Sequence, residues 1–369
     1  MDAGRRLAWL ITRNGYRQPI VADVPRSRLL HFAWYGTRKK FLNYMVLRRA
    51  YRKGQLQVPG FPAALRIDPS SACNLRCPLC PTGVGETDRG SGVLSTNTFR
   101  QILDQFGDYV FILHLWGWGE PLLNNRLWTL VEMAAARRIG TEVSSHLSIK
   151  LSDADIDRVI RSGLTWLIVS IDATTADTYR TYRVGGNFQL ATENLLRIVE
   201  RKRQLQSPTP FVEWQFIPMR HNEHEIEDAK RKAVEYGVDG LRFKPVRIDK
   251  TRKLTFGGEI PAELEAWQPR DPLLGHRIDP ATHAFVGIQC PFLWRSLTIH
   301  FDGSVAPCCE THLKEQDFAH ISEFPGAWNN AKYQNARRIA LGMGLSPRDA
   351  DIPCYGCKVF LRPSLPTGD

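Results

Sequence analysis

The chain has 369 residues, 43% of them apolar and 24% charged, enough for one large soluble domain and a smaller one. No uninterrupted apolar run reaches the ~20 residues that span a bilayer, and no charged stretch leads into an apolar signal segment with a cleavage site. The net charge of +11 sits in residues 1–60, where thirteen Lys and Arg meet only Asp2 and Asp23. The remainder balances, which argues against a nucleic-acid channel through the body of the protein.

Residues 1–60 read as a basic, aromatic-rich arm, broken early by Pro19 and Pro25 and helical from Leu29 to Tyr51. Such a helix either packs on the main domain or docks on an anionic partner or membrane surface. Pro59-Gly-Phe-Pro62 reads as a linker. From residue 61 to about residue 285 the pattern becomes strand, loop, helix, repeated. Strands are expected at Ala64–Asp68, Tyr109–Leu115, Thr141–Ser145, Leu164–Ile171, Phe211–Ile217 and Leu241–Lys244. Helices are expected at Thr98–Phe106, Leu127–Arg138, Ser152–Arg161, Leu190–Leu205 and Glu223–Tyr236. Alternation of this kind implies βαβ units and a parallel sheet, with the strand C-terminal ends as the working face.

Eight cysteines bunch into C-x3-C-x2-C and C-x2-C groups, which reads as metal ligation in a cytoplasmic protein rather than a disulfide framework. The first group is Cys73-Asn-Leu-Arg-Cys77-Pro-Leu-Cys80, directly after the first strand. Three thiolates on one loop suit an iron–sulfur cluster, and a four-iron cluster would keep one iron open. A three-ligand zinc site or chance clustering are the alternatives. The loop resembles the signature of the radical S-adenosylmethionine (SAM) family, although Leu79 stands where that family usually has an aromatic residue. The resemblance implies a [4Fe-4S] cluster whose open iron binds SAM. It also implies a 5′-deoxyadenosyl radical that takes hydrogen from the substrate, inside an α/β partial (β/α)6 TIM-like barrel.

Further segments resemble the same family. Trp116-Gly-Trp-Gly-Glu-Pro121 is similar to its glycine–glutamate–proline turn, with Trp118 in place of a glycine, so Gly119, Glu120 and Pro121 are expected at the SAM amine. Ser145, in Val143-Ser-Ser-His146, and Ser170 with Asp172 are expected near SAM, and Arg183 near its carboxylate. Local capping and surface charge are the competing readings. His114 reads first as a hydrogen-bonded histidine at a strand end and second as a catalytic acid or base. Arg242 and Lys244 are candidates to take a proton from the substrate. Alternation puts His114 with Trp116, Glu213 with Gln215, and Arg242 with Lys244, without saying which set faces inward.

Residues 286–369 carry the other cysteines. Cys290, Gly303, Cys308, Cys354 and Cys357 resemble the auxiliary-cluster domain of radical SAM enzymes in its short twitch form, a β-hairpin plus a helix. Asp302-Gly303 is a preferred hairpin turn. Four ligands imply a second [4Fe-4S] cluster, closed and suited to electron transfer; a four-cysteine zinc ribbon is the alternative. Cys309 is left as an alternative ligand, a hydrogen-atom donor or a buried thiol. The resemblance implies an oxidoreductase or epimerase acting on a sugar or cyclitol. The rivals are peptide crosslinking or epimerisation, and a membrane- or lipid-linked substrate. A flavodoxin or ferredoxin is the expected electron donor. A zinc scaffold that binds nucleic acid through the arm is the non-enzyme alternative.

Overall fold

The computed structural model describes residues 34–247, 262–275, 290–343, 352–354 and 357. The part of the arm before residue 34 therefore lies outside the described residues. Its helix α1 runs Arg38–Arg52, with the Thr37 hydroxyl accepting from the Lys40 N–H. Lys40, Asn43, Leu47 and Ala50 recur at helical spacing and form its buried face. Lys40 Nζ donates to Arg138 O at 2.8 Å, and Asn43 exchanges two hydrogen bonds with the Phe61 backbone. Tyr35 Oη lies 3.1 Å from Thr165 Oγ1. These partners all precede strands, so the helix seals the base of the sheet. Phe41, Leu42 and Met45 remain on its exposed side.

Six parallel strands follow: β1 Ala64–Ile67, β2 Ile112–Leu115, β3 Gly140–Ser145, β4 Trp166–Ser170, β5 Phe211–Phe216 and β6 Gly240–Phe243. Helices α2 Thr96–Phe106, α3 Leu127–Ala136, α4 Asp153–Arg161, α5 Ala176–Tyr182, α6 Phe188–Gln204 and α7 Ile226–Tyr236 lie between them. The expected elements are present with ends shifted by a few residues, and α5 was not anticipated. Ser152 caps α4 in a reciprocal box with Asp155, satisfying orphan donors at both positions. Glu223–Glu225 is a 3-10 turn leading into α7 rather than its first turn.

The strand order is β6-β5-β4-β3-β2-β1-β7-β8-β9, an open wall rather than a closed barrel. Here β7 (Ser296–Ile299) pairs in parallel with β1, and β8 (Ser304–Ala306) and β9 (Ala319–His320) continue antiparallel. The C-terminal hairpin turns at Asp302-Gly303, where Gly303 takes φ 88°. It therefore extends the barrel wall instead of forming a detached lobe.

Parity along the strands separates two faces. Leu65, Ile67, Leu113, Leu115, Val143, Leu167, Val169, Trp214, Phe216 and Leu241 pack in the apolar core under the helices. The alternate positions Arg66, His114, Glu142, Ser144, Ser170, Glu213, Gln215 and Arg242 thus face the concave lumen. Trp166 and Phe211, with ring centroids 4.1 Å apart, floor it.

Candidate active site

The cysteine loop is short, apolar and held from several sides. Arg76 N–H donates to Val184 O at 2.8 Å, and Asn74 Nδ2 to Ser148 O at 3.1 Å. At Gly83 the chain folds back so closely that a Cβ would lie 2.4 Å from Cys77 O. Leu75, Leu79, Tyr182, Met219, Val246 and Leu264 form an apolar cluster around Cys77, with Cys73, Cys80 and Trp267 packed against it. Leu79 is thus part of the shield expected of an aromatic residue.

Burial pushes the Cys73 thiol up to about 12 and Cys77 up to about 11, and the neighbouring cysteines add to both shifts. Thiols that penalise one another's ionisation in an apolar pocket are a donor set completed by a cationic centre, which deprotonates its ligands outright. Among the described residues, no three His, Cys, Asp or Glu side chains converge on a single metal-ion position. A four-iron cluster spreads its thiolates over separate irons, and three thiols of one loop in an apolar pocket suit that donor set.

The turn after β2 is seated on that loop. A Cβ on Gly117 would fall 1.6 Å from Asp68 Oδ1, and one on Gly119 would fall 2.1 Å from Ser70 O. Glu120 N–H donates to Ala72 O at 2.8 Å. Pro121 opens a 3-10 turn whose Leu122 N–H donates to Glu120 Oε1 at 3.0 Å. Glu120 Oε2 lies 3.1 Å from His146 Nε2 and accepts from the His146 N–H. Ser148 N–H donates to His146 Nδ1 at 2.9 Å, which leaves the proton of the neutral ring on Nε2. His146, rather than a hydroxyl of the same run, is what meets Glu120.

Ser144 Oγ and Ser170 Oγ are 3.3 Å apart on the lumen side. Ser145 lies on the opposite face, its hydroxyl accepting from the Leu147 N–H. Strand parity thus turns Ser145 away from the lumen and puts Ser144 on it. Asp172 accepts from Arg183 Nε and from the Ile217 N–H, each at 2.8 Å. Arg183 is also close enough to Cys77 to offset part of its shift. These two residues are therefore coupled to each other and to the cysteine loop.

The lumen is polar. Glu142 Oε1 accepts from Trp116 Nε1 and lies against His114 Nδ1, both at 2.9 Å. Arg242 pairs with Glu213 at 2.7 Å and donates to Gln215 Oε1, while Gln215 Nε2 donates to Ser170 Oγ at 3.3 Å. Lys244 Nζ stands 6.0 Å from the centre of the Trp116 ring. Glu142 was missed from sequence. The signal was a carboxylate set mid-strand, in step with His114.

The C-terminal cysteines also gather. Burial pushes Cys290 up to about 12, with Cys357 and Cys309 contributing, and lifts Cys308 and Cys354 well above their usual range. Cys354 feels both Cys357 and Cys290. Cys309 Sγ lies 3.5 Å from Glu310 Oε1, beside the set rather than apart from it. Trp118 links the two regions, donating from Nε1 to Thr311 O at 2.9 Å and meeting the His312 ring edge-on.

The radical SAM superfamily model matches residues 67–233, and a model of an iron–sulfur cluster-binding domain matches residues 290–358. The chain is 26% identical over 206 residues to mycofactocin maturase MftC of Mycobacterium ulcerans, covering 55% of this chain and 51% of that one. It is 24% identical over 192 residues to the PqqA peptide cyclase of Bradyrhizobium diazoefficiens, covering 51% and 47%. The chain thus spans about half the length of the curated relatives it matches. Streptococcus suis SuiB, solved with its precursor peptide SuiA, shares the fold with a TM-score of 0.55 at 13% identity, over 89% of this chain and 76% of SuiB. With both family models in chain order on the two cysteine groups, the chain belongs to the radical SAM superfamily and carries a C-terminal iron–sulfur cluster-binding domain.

Proposed function

We propose that this enzyme modifies a peptide at an unactivated C–H bond. Support for the substrate class comes from the relatives, which include a maturase and a peptide cyclase. They favour the peptide alternative over oxidation or epimerisation of a sugar or cyclitol. The observation that carries the chemistry is Trp118, which ties the Gly119-Glu120 turn to Thr311, three residues past Cys308. That bond couples the turn after β2 to the segment carrying Cys308.

The cofactors are SAM and two [4Fe-4S] clusters, which when bound supply reductive cleavage of SAM and a route for electrons. Cys73, Cys77 and Cys80 would hold the first cluster, and Cys290, Cys308, Cys354 and Cys357 the second. Gly119, Glu120, Pro121 and Ser170 would line the SAM site, and the Asp172–Arg183 pair would brace it. Glu142 orients His114 through Nδ1, leaving Nε2 to accept a proton in the lumen. Lys244 and Arg242 set the charge around it. A flavodoxin or ferredoxin would be the electron donor. Among the described residues no helix is long and apolar enough to cross a membrane.

The test is anaerobic incubation of the full chain with SAM, reductant and candidate precursor peptides, with a sugar and cyclitol panel alongside. The expected result is 5′-deoxyadenosine formation raised by a peptide that gains a covalent modification. Stimulation by a sugar alone, with every peptide inert, would overturn the reading.

A further inference from the structure

We propose that Arg66 and Thr298 form a seat for a substrate carboxylate inside the lumen. The carboxylate's peptide source rests on the function proposed above; the seat itself does not.

Arg66 lies on β1, in register with Thr298 of β7 on one side and His114 of β2 on the other. Its guanidinium carbon stands 3.5 Å from the centre of the Trp116 ring, stacked on the indole. Among the described residues Arg66 makes no side-chain hydrogen bond or ion pair, and its Nε is shielded from solvent without a partner. Thr298 is 1% exposed, and its Oγ1 is likewise unpartnered. The carboxylates nearby are engaged elsewhere. Asp68 holds His300 Nδ1 at 2.6 Å, Glu142 holds His114 and Trp116, and Glu213 holds Arg242.

Arg66 is half-buried with its Nε shielded, and a guanidinium cannot shed its charge, so its partial desolvation without an acceptor favours an incoming anion. Its planar fork matches the two oxygens of a carboxylate, and the Trp116 face fixes the plane of that fork. The Thr298 hydroxyl adds a further donor from the adjacent strand. Lys244, on the same indole, adds positive field. Glu142, bonded to the edge of that indole, disfavours a dianion and selects a singly charged group. Arg66 pairs with His114, two residues before Trp116, so the seat lies one lumen row earlier along the strands than that ring. That depth suits a substrate group rather than SAM.

Two peptide sources share this chemistry, an acidic side chain and a C-terminal carboxylate. The test is calorimetric binding to the anaerobically reconstituted full chain with SAM present. The probes are a short capped peptide with a central Glu, its Gln twin, and the Gln peptide with a free C-terminal carboxylate. Glucuronate and glucuronamide serve as the non-peptide pair. The expected result is that one acid binds about 10- to 100-fold tighter than its amide. Arg66→Gln should abolish the preference and Arg66→Lys should retain part of it, with iron content per chain confirming that both variants fold. The preferred acid identifies the source. A preference unchanged in Arg66→Gln, or no preference in the unmodified chain, would overturn the seat while leaving peptide modification standing if peptides bind. An Arg66-dependent preference for glucuronate alone would keep the seat and remove the peptide reading. Weaker SAM binding in Arg66→Gln without any acid–amide effect would assign Arg66 to SAM and also overturn the seat.

Discussion

Replacing Gly119 by alanine tests how firmly the turn after β2 is seated on the cysteine loop. The new Cβ would lie 2.1 Å from Ser70 O and 2.8 Å from Ala72 O. Both are backbone atoms, so neither swings aside as a side chain would. The turn must lift, and the 2.8 Å bond from Glu120 N–H to Ala72 O must lengthen. Overpacking of this kind costs about 1–3 kcal/mol, and loss of the hydrogen bond adds ~1 kcal/mol. The resulting ~2–4 kcal/mol divides between fold stability and SAM affinity. Expressed wholly in binding, its lower end weakens SAM by about 30-fold. Titration calorimetry with SAM on the reconstituted protein, beside urea melts, reads both parts. Gly326→Ala is the control: nothing lies within 4 Å of its Cβ, and its effect should stay within about 0.5 kcal/mol. A Gly119→Ala variant with wild-type SAM affinity and wild-type urea midpoint would refute the reasoning.

Three other perturbations probe the same site. Trp118→Phe keeps an aromatic ring but loses the 2.9 Å bond to Thr311 O, so the auxiliary cluster's redox potential should shift while total iron stays constant; an unchanged potential would mean the tie does not reach that cluster. Asp172→Asn leaves the half-buried Arg183 beside Cys77 without its buried counter-charge and should cost about 3 kcal/mol in urea denaturation; a loss under about 1 kcal/mol would rank the pair with surface bridges. Burial holds the His146 imidazole below its ordinary 6.5. The unfolded chain then takes up a proton that the folded chain resists, so this contribution to stability is whole above that value and is lost as pH falls below it. His146→Gln should flatten the slope of stability below about pH 6.5, and an unaltered slope there would place the proton uptake elsewhere.

The six barrel strands were legible because short apolar, β-branched or aromatic segments alternate with helical patterns, and the cysteine spacing made both metal regions legible. Strand parity was not. Ser144 and Ser145 are equivalent hydroxyls on paper, and only the packing of Val143 and Val169 under the helices decides which enters the lumen. The β1–β7 pairing was also out of reach, since it joins segments about 230 residues apart and leaves no local signal. Arg66 received no role from the sequence, and it is the structure that puts it on the lumen side. The basic arm read ambiguously because its charges say nothing of its buried face. In the structure Lys40, the residue least expected there, lies inside and bonds the Arg138 carbonyl.

The central claim is that two separate cysteine groups each hold an iron–sulfur cluster. Iron and acid-labile sulfide per chain, measured after anaerobic purification, test it most directly. The full chain should carry about eight irons. Replacing Cys73, Cys77 and Cys80 together by alanine should leave about four, as should replacing Cys290, Cys308, Cys354 and Cys357. Zinc in place of iron, or an iron count indifferent to either set of replacements, would contradict it.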